Sequence, residues 1–134
     1  MKQGGNGNFF SLPNEIFLLG LSSGELAVYS YLRRCENRTT HQCWPSYKTI
    51  GKAVSMSENT VRKYTLRLEK RGLISTEPTE VVTESGRTRN GNLRYTLRPV
   101  REWIAAHYDR QLEQLEITVA YQRTATVQAE RDRL

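Results

Sequence analysis

The sequence predicts an α+β fold: a small, mostly helical domain closed by a β-hairpin, followed by a long C-terminal helix. Three features carry this expectation. Between Ser46 and Ile74, apolar residues recur at intervals of 4, 2, 5, 3 and 4 (Ile50, Val54, Met56, Val61, Tyr64, Leu68), a series that neither one helix nor one strand produces. Two stretches of strand character, STEPTEVVT and LRYTLRP, then flank the turn-rich SGRTRNGN. Finally, residues 101–134 contain neither Gly nor Pro. A chain of 134 residues suffices for one domain with an appended tail.

Taken in order, residues 1–8 are rich in Gly and Asn and are expected to be disordered. In FFSLPNEIFLLG, Pro13 suits the first turn of a short helix and Gly20 its end. Ser22 and Glu25 stand at capping-box spacing, so a second helix starts there, with Leu26, Val28, Tyr29 and Leu32 on its apolar side. CENRTTHQCWP is polar, ends in Pro45 and reads as a loop. Trp44 is expected to plug the core beside it.

The irregular intervals that follow fit two helices meeting at a corner. Ser46 caps the first, in which Ile50 and Val54 share a face; Met56 fills the turn; Ser57 caps the second, where Val61, Tyr64 and Leu68 restore the helical period. Gly51 supplies a small residue where the two must approach closely. The stretch is a helix-turn-helix. In the hairpin beyond it, Arg87, Arg89 and Arg94 are expected at or near the tip. Along the C-terminal helix, Tyr108, Leu112, Leu115 and Val119 make a stripe close to a heptad seam, open to folding back onto the winged helix or to pairing with a second copy, of which the length of the segment favours pairing.

The charge is unevenly spread. Overall the chain carries +6, yet residues 99–134 hold five Arg against six acidic residues. Trp44 to Arg98 holds eleven basic and five acidic residues, a density that favours a polyanion, DNA or RNA first.

PSYKTIGKAVSMSENTVRKYTLRLEKRGLI resembles winged helix-turn-helix domains of bacterial regulators, the GntR and MarR types among them. With FFSLPNEIFLLGLSSGELAVYSYL in front, the chain looks like a family of small winged-helix proteins of plasmids, phages and conjugative elements. The resemblance spans Phe9–Arg98 and rests on the PS before the first helix, the S-x-x-T-V-R start of the second, and LEKRGLI. Ser55 departs from it, since Gly usually stands at that turn. The resemblance implies a winged-helix domain over residues 9–98 that acts on DNA in transcription or replication initiation; residues 99–134 lie outside it and are expected, from their own apolar pattern, to form a C-terminal helix suited to dimerisation.

On a helical wheel, Asn59, Lys63 and Lys70 point away from the apolar side of the second helix, with Arg62 and Arg67 on its flanks. A helix fits the major groove, where Asn can pair with adenine and Arg or Lys with guanine or phosphate. Asn59, Arg62 and Lys63 are therefore expected near base edges, and Arg67, Lys70 and Arg71 nearer the phosphates. Ser46, Lys48, Ser57 and Thr60 at the two helix starts, and Arg87 and Arg89 of the hairpin, complete the expected contact set. Leu66 falls on the outward side, within reach of a thymine methyl or the hairpin.

The expected partners are double-stranded DNA and a second copy of the chain, with a replication or transfer protein as a further partner. Two rival roles remain open: an accessory factor in replication initiation or conjugation, and a winged-helix scaffold for protein interactions. Cys35, His41 and Cys43 form C-x5-H-x-C, short of the four ligands and close Cys pair of a structural zinc site. No phosphate-cradling, nucleophile-elbow or zincin motif occurs, and His107 has no partner for a catalytic pair, so neither enzyme activity nor a cofactor is expected. No apolar run approaches the ~20 residues that span a bilayer, and MKQGGNGNFF holds no signal core, so a cytoplasmic location away from the membrane is expected.

Overall fold

A computed structural model describes residues 8–133; the disorder expected for residues 1–8 falls, Asn8 apart, outside the described residues. Pro13, at φ −62° and ψ 135°, caps a 3-10 helix, Asn14–Leu18, one step ahead of the turn it was expected to occupy. That helix buries Ile16. The capping box starts α1 (Ser23–Cys35) as its spacing predicts: Glu25 N donates to Ser22 Oγ at 3.2 Å and Ser22 N to Glu25 Oε1 at 3.1 Å. Val28, Tyr29 and Leu32 are buried and Leu26 half-buried.

The loop expected before Pro45 contains a strand. In β1 (Gln42–Cys43), Gln42 pairs antiparallel with Thr96 and Cys43 with Tyr95. The helix-turn-helix follows. Thr49 N donates to Ser46 Oγ at 3.0 Å to start α2 (Tyr47–Val54), and Thr60 N to Ser57 Oγ at 3.2 Å to start α3 (Glu58–Lys70). Ile50 is buried from α2; Val61, Thr65 and Leu68 are buried from α3, with Tyr64 half-buried. At the corner, a Cβ on Gly51 would stand 2.4 Å from the Met56 carbonyl oxygen, so only glycine lets the two helices come this close.

The turn itself explains the Ser55 anomaly. Ser55 adopts the left-handed conformation, φ 58° and ψ 48°, and it and Met56 both donate their N–H to Gly51 O. Glycine is usual there because it alone reaches this region without Cβ strain. Ser55→Gly should therefore raise the urea midpoint at unchanged m-value, by the equivalent of about 0.5–1 kcal/mol after the glycine entropy cost. No gain, or a loss, would show that the Ser55 side chain supports the turn.

Gly72 (φ 83°) ends α3 in a Schellman motif: Leu73 N donates to Leu68 O at 3.1 Å and Gly72 N to Glu69 O at 3.0 Å. The chain then enters β2 (Ile74–Glu77), β3 (Glu80–Val82), β4 (Thr88–Asn90) and β5 (Arg94–Leu97). The expected single hairpin has two tiers. At its base, β5 lies between β1 and β2 in a three-stranded antiparallel sheet, whereas β3 and β4 form a separate two-stranded sheet with Val81 opposite Arg89. Pro78, which has no N–H to give a ladder, lies between β2 and β3. Arg94 sits at the base opposite Glu77, so its expected place at the tip is corrected.

Tyr95 and Leu97 of β5 join Ile74, Leu73 and the buried faces of the three helices in the core. Trp44 does not. Its expected role as a core plug is overturned by an exposure of 48%; the buried tryptophan is Trp103, at 2%. Trp103 lies in the first turns of α4 (Val100–Arg133), and the chain divides into two compact units directly after it. The first unit is a winged helix-turn-helix domain; the second consists of the rest of α4, whose Tyr108, Leu112, Leu115 and Val119 are exposed.

Candidate nucleic-acid interface

With Val61, Thr65 and Leu68 turned inward, α3 leaves Asn59, Arg62, Lys63, Leu66, Arg67 and Lys70 exposed on its other side. Tyr64 lies between the two faces and orders two of these cations. Lys63 Nζ stands 4.9 Å and Arg67 Cζ 5.5 Å from its ring centroid. Such contacts are worth about 0.5–1 kcal/mol at exposed sites, and they hold a cation without neutralising it.

The basic residues divide by partner. Arg33, Arg71, Arg94 and Arg98 each pair with a carboxylate: Glu36, Glu25, Glu77 and Glu102. Lys48, Arg62, Lys63, Arg67, Lys70, Arg87 and Arg89 do not pair among the described residues, whose ion pairs are those four and His41 with Glu36. These unpaired cations lie on the outward face of α3, near the start of α2 and along the distal hairpin, while Arg34, Arg38, Lys52 and the arginines of α4 are also without an ion pair among the described residues.

This division corrects the role expected for Arg71. Its Nε donates to Glu25 Oε2 at 2.5 Å and its Nη1 to Leu19 O at 3.2 Å, so it ties the end of α3 to the start of α1 and the segment before it. The guanidinium is committed to the fold.

Ser46 and Ser57 are committed locally. Each hydroxyl accepts the capping N–H and also stands 2.9 Å from a threonine hydroxyl, Thr49 Oγ1 and Thr60 Oγ1 respectively. They position the helix starts beside which Lys48, Asn59 and Thr60 lie. On the hairpin, Arg87 sits in the turn, its carbonyl accepting from Thr83 N at 2.8 Å, while Arg89 lies on β4 rather than in the turn. Both side chains are exposed.

Two aromatic residues of this region stand outside the contact set expected from the sequence. Tyr47, the first residue of α2, is half-buried. Burial raises its phenol above the ordinary value, the Arg62 guanidinium draws it down and Glu69 pushes it up, which places the phenol in electrostatic reach of α3. Trp44 is the second. Its carbonyl oxygen accepts from Asn92 Nδ2 at 3.1 Å, at the root of the distal hairpin. The only signal in the sequence was an aromatic pair around Pro45 and Ser46.

Of the motif set aside for zinc, Cys43 is buried, Cys35 half-buried, and both are free; His41 is exposed, with Nδ1 3.2 Å from Glu36 Oε2. Among the described residues, no three His, Cys, Asp or Glu are placed to hold a metal ion, and no helix is long and apolar enough to cross a membrane.

Residues 19–74, from the end of the 3-10 helix through α3, match the family model described as a helix-turn-helix domain. The match supports DNA as the partner of this region. Among solved structures, the chain is similar to a possible transcriptional regulator from Methanosarcina mazei Go1. The two share 13% identity over 73% of this chain and 79% of the other, with a TM-score of 0.46. A search of curated proteins finds no match.

Proposed function

We propose that this protein binds double-stranded DNA sequence-specifically, with α3 in the major groove, as a transcriptional regulator encoded on a mobile element. The observation that carries the reading is the outward face of α3, where Arg62, Lys63, Arg67 and Lys70 stand without carboxylate partners opposite a buried stripe. Asn59 reads adenine, and Arg62 and Lys63 reach guanine or phosphate. Arg67, Lys70, Lys48 and the helix starts at Ser46, Ser57 and Thr60 hold the backbone; Arg87 and Arg89 contact phosphate or the minor groove. The mobile-element assignment rests on the resemblance over Phe9–Arg98. The same contacts would serve at a replication or transfer origin, and footprinting of neighbouring intergenic DNA separates these outputs.

Fluorescence anisotropy on a site selected from random duplexes tests the reading. With about six phosphates neutralised, log K should fall against log salt with a slope near −5. On the same site, Asn59→Ala should cost about 1–3 kcal/mol and on random DNA almost nothing. A slope shallower than about −2 would count against a groove-docked basic helix. Equal losses on both sequences would remove the base-reading role of Asn59.

A further inference from the structure

Trp44 is a large apolar side chain, about half exposed, inside the most basic part of the chain. Solvation explains an exposed arginine; it does not explain an exposed indole pinned in place. The pinning is through the backbone. Asn92 Nδ2 holds the Trp44 carbonyl at 3.1 Å, Thr79 Oγ1 donates to the Asn92 carbonyl, and Gly91 N donates to Thr79 O at 2.8 Å. Trp44 is thus fastened to the two short segments that join the base of the hairpin to its distal tier.

On its other side, the chain passes through Pro45 and the Ser46 cap into Tyr47, whose phenol feels Arg62 of α3. The stretch Trp44–Tyr47 therefore links the root of the distal hairpin, whose β4 carries Arg89 and follows the Arg87 turn, to the start of α2, the helix that meets α3 at the corner. Arg87, Arg89 and the outward cations of α3 have no ion pair among the described residues. An indole offers an apolar face to a deoxyribose and one N–H to a phosphate, so it fits a strand of DNA crossing between helix and hairpin.

We propose that Trp44 docks against the sugar–phosphate backbone of bound duplex DNA and sets where the distal hairpin meets it. This rests on the DNA-binding reading above. Because Asn92 donates to the Trp44 carbonyl and not to its side chain, replacing the indole leaves the partners of that hydrogen bond in place.

The two tryptophans make the test direct, since Trp103 is buried and serves as an internal reference. Tryptophan emission of the full chain is followed with acrylamide as quencher while a selected duplex is added, and labelled-duplex anisotropy reports binding independently. Saturating duplex should lower the quenching constant of the natural protein several-fold, towards that of Trp44→Phe, which retains only Trp103. Trp44→Ala should weaken binding about ten-fold, with Trp44→Phe in between and both thermal transitions unchanged. If anisotropy saturates while Trp44 stays as quenchable as before, or if Trp44→Ala binds normally, the inference fails and the DNA-binding reading stands; the indole then faces something other than DNA. If no duplex binds at low salt, both fall together.

Discussion

Arg71→Ala should destabilise the fold by about 2–4 kcal/mol at neutral pH and by clearly less near pH 4. Removing one partner of a buried ion pair typically costs about 3–5 kcal/mol, because the other charge is left uncompensated. The lower range applies because the Arg71 side chain is 37% exposed, whereas that of Glu25 is only 4% exposed. Burial alone would push the Glu25 carboxyl up. The Arg71 guanidinium and the donors of Ser22 outweigh it, and the group ends below the usual carboxylate range. In the natural protein this carboxylate contributes stability that is present above its unfolded value, 4.5, and is lost as pH falls through the lower folded value. In Arg71→Ala burial is opposed only by the donors of Ser22, so the carboxyl is held down less than in the natural protein. The stability lost with the guanidinium is the part tied to the ionised carboxylate, so the deficit grows as pH rises. Urea unfolding of both proteins at pH 4 and pH 7 checks this. Equal deficits at the two values would mean that Arg71 acts through packing and its bond to the Leu19 carbonyl, not through the Glu25 charge.

Arg71 also marks where the sequence stopped being legible. Its partner lies 46 residues away, and that of Arg94 lies 17 away. Nothing local separates these two arginines from Arg67 or Arg89, which have no such partner. Likewise β1 is two residues long and is a strand only because Thr96 and Tyr95 pair with it. Trp44 was misplaced for the same reason, since burial of an indole depends on which surface it meets and not on its neighbours in the chain. What could be read was local chemistry. The capping box needs residues three apart, each helix of the corner announces itself by a serine cap, and the apolar intervals fix which faces of α2 and α3 turn inward. These features sufficed to locate the helix-turn-helix and to set the outward face of α3 apart. They could not show which cations the fold itself consumes.

Leu112→Ala combined with Leu115→Ala should convert a dimer into a folded monomer that binds a two-half-site duplex much more weakly. Tyr108, Leu112, Leu115 and Val119 lie 4, 3 and 4 residues apart, and all four are exposed on α4. That spacing matches the seam of a two-stranded coiled coil, and we propose that the same stripe on a second copy covers it. Two copies would also supply two recognition helices, as a repeated or palindromic site demands. The seam continues into Gln122 and Thr126, which are polar, but the Thr126 hydroxyl is already satisfied by the Gln122 carbonyl at 3.0 Å and so does not resist burial. Each Leu buried in such a seam is worth about 2–5 kcal/mol against Ala, enough in combination to decide oligomeric state. Light scattering on both proteins, free and with duplex, reads the outcome directly, and unchanged circular dichroism at the helix-turn-helix would show that the variant remains folded. If the natural chain is a monomer at tens of micromolar and stays one on DNA, pairing through α4 is wrong, and specificity must come from the contacts of a single α3 and its hairpin.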